Sequence, residues 1–253
     1  MDPHLYGKYP IAWITKSNKV IEFMKEQKNK EILIADFASG EHDRVPSFFV
    51  KIIHEFLDEG VQDTRTTVYS IDLHALRLDS LLGKLEESDL LERTRVVQSN
   101  LETMDRSASF RPDLKTLLLQ IPEELTWLDR SLLEEERIPD EAFDIGVLNN
   151  DVVGYLFEYY TEYSDATVAL KQVHRTIKNG GLLVVSNPCL QYIIDNVKIL
   201  EEIGFEFVEG YDIDFSTKNI LEINRRTPPK SMSRLNHYSF LIFSKSSPSR
   251  IES

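Results

Sequence analysis

The chain has 253 residues, and 29 Lys and Arg against 42 Asp and Glu leave a formal net charge of −13 at pH 7. So acidic a chain opposes the counterion release behind most phosphate-backbone binding, which argues against DNA as a partner. With 42% hydrophobic and 28% charged residues, the composition is that of a globular chain sized for one α/β domain with additions.

The chain opens on Met1-Asp2-Pro3-His4, without the basic-then-apolar order of a signal peptide, and no run of about 18 apolar residues follows. We expect no membrane partner and a cytoplasmic protein. Residues 1–30 read as a helical cap, with Ile11, Trp13, Val20, Phe23 and Met24 at amphipathic spacing. Residues 31–253 read as one main domain. Its first strand is Glu31 to Asp36, stopped by Phe37-Ala38-Ser39-Gly40, and apolar residues from Phe48 to Leu57 then recur at helical spacing.

The alternation repeats. Strands are expected at Thr66 to Leu73 and Thr94 to Gln98, around a helix from about Leu76 to Leu91. A Leu-rich, acidic segment at about 106–136 reads as a helical insert before a fourth strand, Ala142 to Asn149. A helix over Ser164 to Lys178 is expected to stop at Asn179-Gly180-Gly181 before a fifth strand, Leu182 to Ser186. The lone cysteine, Cys189, permits neither an intramolecular disulfide nor a cysteine metal cage. After a helix at Asp195 to Ile203, strands at Phe205 to Tyr211 and His237 to Ser244 flank a polar, basic loop at about 216–236.

Apolar strands alternating with helices predict a Rossmann-like, doubly wound α/β sheet of seven strands, mostly parallel, with helices on both faces and an antiparallel last strand. Ligands of such sheets bind at the carboxyl ends of the strands. Four polar tips fall there. Ala38, Ser39 and Gly40 let a ligand approach the backbone closely, and the helix beyond adds partial positive charge. Asp72, with Leu73 beside it, can accept both hydroxyl hydrogens of a ribose. Asn100 and Leu101 suit the edge and face of a purine, and Asn149-Asn150 follows the fourth strand. Together they describe a nucleoside-shaped crevice.

With these residues in place, the chain resembles the class I S-adenosylmethionine-dependent methyltransferases. ILIADFASGEHDR (Ile32 to Arg44) is similar to that family's acid-x-G-x-G-x-G turn, with Asp36 as the acid. VYSIDL (Val68 to Leu73) resembles its second motif, and SNLETM (Ser99 to Met104) its adenine-contacting turn. RIPDEAFDIGVLNN (Arg137 to Asn150) and ALKQVHRTIKNGGLLVVS (Ala169 to Ser186) resemble its fourth-strand and fifth-strand segments. The resemblance implies S-adenosylmethionine as cofactor, held by Asp36, Ala38, Ser39, Gly40, Asp72, Leu73, Asn100, Leu101 and Asn149, and in-line methyl transfer. Ala38 stands where the family has its first glycine and His42 where it has its third, so His42 must point away from the methionine moiety.

A dinucleotide fold wants an acid about 20 residues beyond the glycine turn, whereas here the interval is 72 − 40 = 32. No Gly-Lys-Ser/Thr of a P-loop occurs. The methyl acceptor is expected to be a small molecule; a protein or RNA acceptor, or a binding domain without activity, are the alternatives. No catalytic base is singled out. His54 and His174 read as structural, His237 opens the last strand, and Tyr155, Tyr159, Tyr160 and Tyr163 offer an acceptor wall. Ser186-Asn187-Pro188 follows strand five and lacks the second proline of the Asn-Pro-Pro-Tyr motif of amino-group methyltransferases. Tyr6, Tyr9 and Trp13, or Arg225, Arg226 and Lys230, are candidates to close over the crevice.

Overall fold

The computed structural model describes residues 10–27, 30–57, 65–109, 135–136, 138–159, 166–188, 193–223 and 237–246. Tyr6, Tyr9, Tyr160, Tyr163, Cys189, Arg225, Arg226, Lys230 and most of the 106–136 insert lie outside these residues, as does the side chain of Tyr159. The chain forms two compact units, Met1–Pro139 and Asp140–Ser253.

Unit one orders its strands β5-β4-β3-β2-β1. Strands β1 (Glu31–Phe37), β2 (Arg65–Asp72) and β3 (Thr94–Gln98) pair in parallel, Asp36 opposite Ser70 and Asp72 opposite Gln98. Their apolar residues have no solvated face: Ile32, Ile34, Phe37, Val68, Ile71 and Val97 are all fully buried. The helix Ala75–Glu87 explains one covering layer, because Leu78, Leu81, Leu82 and Leu85 fall at i, i+3, i+4 and i+7 and pack with Leu90 and Val96. Each such burial contributes about 2 kcal/mol.

The helical segment Arg44–Phe56 begins as an α turn with Pro46 in it, where the missing N–H has no intrahelical partner to lose. It then widens to a π turn at Phe48–Ile52, burying Phe48 and Phe49. At the N-terminus a 3₁₀ turn, Pro10–Lys16, leads to the helix Asn18–Glu26, which Ser17 caps by accepting the Val20 N–H at 3.0 Å. Trp13 is buried there beside Ile11, Ala12 and Ile14, so it is a packing residue.

The strand content of unit one exceeds expectation. The insert reads as one or two helices, yet its described ends are short antiparallel strands, β4 (Ser107–Ser109) on β3 and β5 (Glu135–Glu136) on β4. Pieces of two and three residues are too short to display a period.

Unit two orders its strands β6-β7-β10-β8-β9. Strands β6 (Phe143–Leu148) and β7 (Ile177–Asn187) are parallel, while β10 (His237–Lys245) runs antiparallel to both β7 and β8 (Phe205–Asp214), as expected for the last strand. A three-residue strand, β9 (Ile220–Glu222), pairs with β8 inside what the sequence presents as a loop. The helix Ala166–Thr176 buries Ala169, Leu170 and Val173, and Ile193–Ile203 buries Ile193, Val197 and Leu200.

Asn179-Gly180-Gly181 is not the helix stop it resembles. The helix ends at Thr176, and the three residues lie inside β7 as a bulge, where the register passes from Phe143 opposite Ile177 to Ile145 opposite Leu182. Gly180 supplies φ +77°. Among the described residues, no helix is long and apolar enough to cross a membrane.

Candidate functional site

Backbone hydrogen bonds lash together the three parallel strand tips of unit one. After β1, Ala38 (φ +56°) and Gly40 (φ +64°) both enter the left-handed region and turn the chain sharply. Between them, the Ser39 N–H donates to the Ile71 carbonyl at 3.0 Å. The Ser99 N–H donates to the Asp72 carbonyl at 2.9 Å, and Gln98 Nε2 to the Leu73 carbonyl at 3.1 Å. The expected residues at these three tips therefore do meet.

Asp72 is the centre of the arrangement. Its Oδ2 accepts the Gly40 N–H and its Oδ1 the His74 N–H, both at 2.9 Å, and the residue is only 4% exposed. A carboxylate has about four acceptor sites, so two remain for ligand hydroxyls. A Cβ placed on Gly40 would meet nothing within 4 Å, so glycine is favoured there by its φ alone, and the space beside the turn is open. The Ser39 Oγ is buried with no hydrogen-bond partner among the described residues. Open space, spare acceptor sites and an unfilled hydroxyl fit a polar, sugar-bearing ligand.

Asp36 is fully buried at the end of β1. Burial first, and the Asp72 carboxylate second, push its carboxyl pKa well above the ordinary value of 3.8. Two carboxylates so placed resist ionising together. Asn100 turns its Oδ1 back to accept the Glu102 N–H at 2.9 Å, an Asx turn that opens the 3₁₀ stretch Leu101–Arg106 with Leu101 buried. Its amide hydrogens face no such constraint. His42 is exposed. Burial of part of its ring and the neighbouring Arg44 and Lys84 lower its pKa.

Asn149 belongs to unit two and joins a network of side chains there. Its Oδ1 accepts Ser186 Oγ at 2.7 Å and lies 3.1 Å from Tyr238 Oη, while Ser186 Oγ accepts the Asn150 N–H at 2.9 Å. Asn150 (φ +69°) and Asp151 (φ +65°) then turn the chain into the helix Val152–Tyr159. The Asp151 carboxylate folds over Gly154, its Oδ1 2.7 Å from where a Cβ would stand. Tyr155 is 45% exposed.

Other polar pairs sit at the same edge of unit two. His237 Nδ1 lies 2.8 and 2.9 Å from the two oxygens of Asp212, and Asn196 Nδ2 donates to Asn187 Oδ1 at 3.2 Å. Sequence reasoning singled out His237 and missed Asp212, Ser186 and Tyr238, which become visible only once the β7, β8 and β10 registers are known. His54 and His174 have pKa values lowered chiefly by burial, and His174 packs edge-on against Phe205. Among the described residues no cluster of His, Cys, Asp and Glu could hold a metal ion.

No protein-family model matches the chain. No curated protein matches it either. Solved structures do. The selenomethionine-substituted CurJ carbon methyltransferase aligns with 92% of this chain at 13% identity and a TM-score of 0.50, and the chain spans 54% of it. A TehB-like SAM-dependent methyltransferase from Corynebacterium glutamicum aligns at 15% identity and TM-score 0.48, covering 97% of this chain and 100% of its own. A SAM-dependent methyltransferase from Aquifex aeolicus gives 14% identity and TM-score 0.47, covering 97% and 99%. At 13% identity the CurJ likeness speaks for architecture alone: this chain has a Rossmann-like methyltransferase fold.

Proposed function

We propose that the chain is a methyltransferase that binds S-adenosylmethionine and methylates a small molecule, in a cytoplasmic setting consistent with its single cysteine. The observation that carries this reading is Asp72, whose carboxylate holds the left-handed glycine turn by the Gly40 N–H and keeps acceptor capacity beside open space. In this reading Asp72 takes the ribose hydroxyls, and Asn100 and Leu101 take the adenine. The backbone at Ala38, Ser39 and Gly40 receives the methionine moiety beside Asp36. When bound, the cofactor supplies a methyl group on a sulfonium, already activated for displacement. The protein's part is then to align the partners and exclude water.

The CurJ neighbour is by name a methyltransferase of carbon, and its fold is the one found here. Fold alone does not decide chemistry, so the support lies in the site. The test is twofold. Calorimetry with S-adenosylmethionine and S-adenosylhomocysteine reads cofactor binding. Incubation of the chain with methyl-labelled cofactor and a small-molecule cell extract reads transfer, label appearing in a low-mass product. Binding without any transfer, to small molecules, protein or RNA, would favour a nucleoside-binding domain instead.

A further inference from the structure

Unit two carries groups that cofactor binding does not use, and they share one face of its sheet. Ser239 on β10 stands opposite Asn187 of β7 on one side and Asp212 of β8 on the other. Residues directly opposite point to the same face, so Asn187, Ser239 and Asp212 form a row across three strands. His237, two residues before Ser239, points to that face as well, one step nearer the carboxyl edge of β7.

Two independent features mark this row. The first is the His237–Asp212 pair, 4% and 7% exposed, with Nδ1 within 2.9 Å of both carboxylate oxygens. A carboxylate so placed keeps the proton on Nδ1 and leaves the lone pair on Nε2, which is how a general base is prepared. Asp214, which the register sets opposite His237, accepts instead from Ser216 through both its N–H and its Oγ. The second is Asn187, fully buried, whose Oδ1 accepts from Asn196 while its Nδ2 has no hydrogen-bond partner among the described residues. A buried amide left unfilled at a strand's carboxyl end points to a missing acceptor atom.

We propose that unit two binds a hydroxyl-bearing small molecule, with His237 as general base for the hydroxyl and the Asn187 Nδ2 donor on a second oxygen of the molecule. The hydroxyl's O–H bond breaks, its electron pair stays on oxygen, and the proton passes to His237 Nε2. The resulting imidazolium is stabilised by Asp212, a positioning residue, until the proton leaves to water. The fate of that oxygen rests on the methyltransferase reading; the base itself rests on unit two alone.

The test uses the full chain without substrate. Long-range nitrogen–proton NMR correlations should show His237 with its proton on Nδ1. Diethyl pyrocarbonate followed by peptide mapping should acylate His237, and Asp212→Asn should slow that reaction. A proton on Nε2, or a His237 that stays unmodified while the exposed His42 reacts, overturns the proposal. Should Asp212→Asn fail to fold, the wild-type tautomer and labelling still decide. Calorimetry separates the two readings: cofactor binding with an inert His237 removes the base alone, and a reactive His237 without cofactor binding supports the base and removes methyl transfer.

Discussion

The carboxyl edge of unit one is tied by its backbone, and that of unit two by its side chains. In unit one, Ser39, Gly40, His74 and Ser99 donate main-chain N–H groups, and one carboxylate, Asp72, collects two of them. In unit two, Asn149, Ser186 and Tyr238 bond through side chains, as do His237 with Asp212 and Asn187 with Asn196. Main-chain donors with one shared acid suit a ligand that is always the same. Side-chain networks can be altered one residue at a time, which suits the part of a reaction that distinguishes one acceptor from another.

The largest test of this contrast is Asp72→Asn. The amide keeps one acceptor oxygen and presents N–H groups in place of the other, so either the Gly40 or the His74 N–H loses its partner. The expected loss is about 2–3 kcal/mol in urea denaturation; a loss below about 0.5 kcal/mol would mean the turn holds itself. Tyr238→Phe, which leaves Ser186 and Asn149 bonded to each other, should cost only about 1 kcal/mol and leave cofactor affinity unchanged. A matching drop in cofactor affinity would erase the distinction between the edges.

Asp36 provides a test by pH. Its folded pKa is raised above 3.8, so the folded chain holds a proton the unfolded chain has lost, and this contribution to stability declines as pH rises from about 4 until the folded pKa is reached. Asp36→Asn removes that decline. Its stability relative to wild type should therefore grow with pH above 4, measured by melting across a pH series; a constant difference would contradict the buried, raised carboxyl. Ala38→Gly should give the smallest effect. Relief of a left-handed alanine is worth about 1–2 kcal/mol, offset by about 0.4–1 kcal/mol from the freer unfolded chain, so a net gain of about 0.5 kcal/mol is expected by urea denaturation.

The same contrast governs what could be read from the amino acids alone. Unit one's tips are sequence-local: each acid, amide or small residue follows its own strand, and strands as apolar as EILIADF announce themselves. Unit two's edge depends on register. That Asp212 meets His237, or that Tyr238 reaches Ser186 across β10 and β7, follows from pairings that no local pattern records. Asn149 reads as a ligand residue by position, yet its oxygen already serves two hydroxyls. Strands β4, β5 and β9 escape notice because two or three residues leave no alternation, and Asn179-Gly180-Gly181 mimics a helix stop because bulges and caps use the same left-handed glycine.

The central claim is that the tips of β1, β2 and β3 hold an adenosine with Asp72 on its sugar. Titration calorimetry of the wild type and of Asp72→Asn with S-adenosylhomocysteine addresses it most directly. The account predicts one site per chain, weakened by about tenfold or more in the variant. Absence of binding at millimolar nucleoside, or equal affinity in the two proteins, would contradict it.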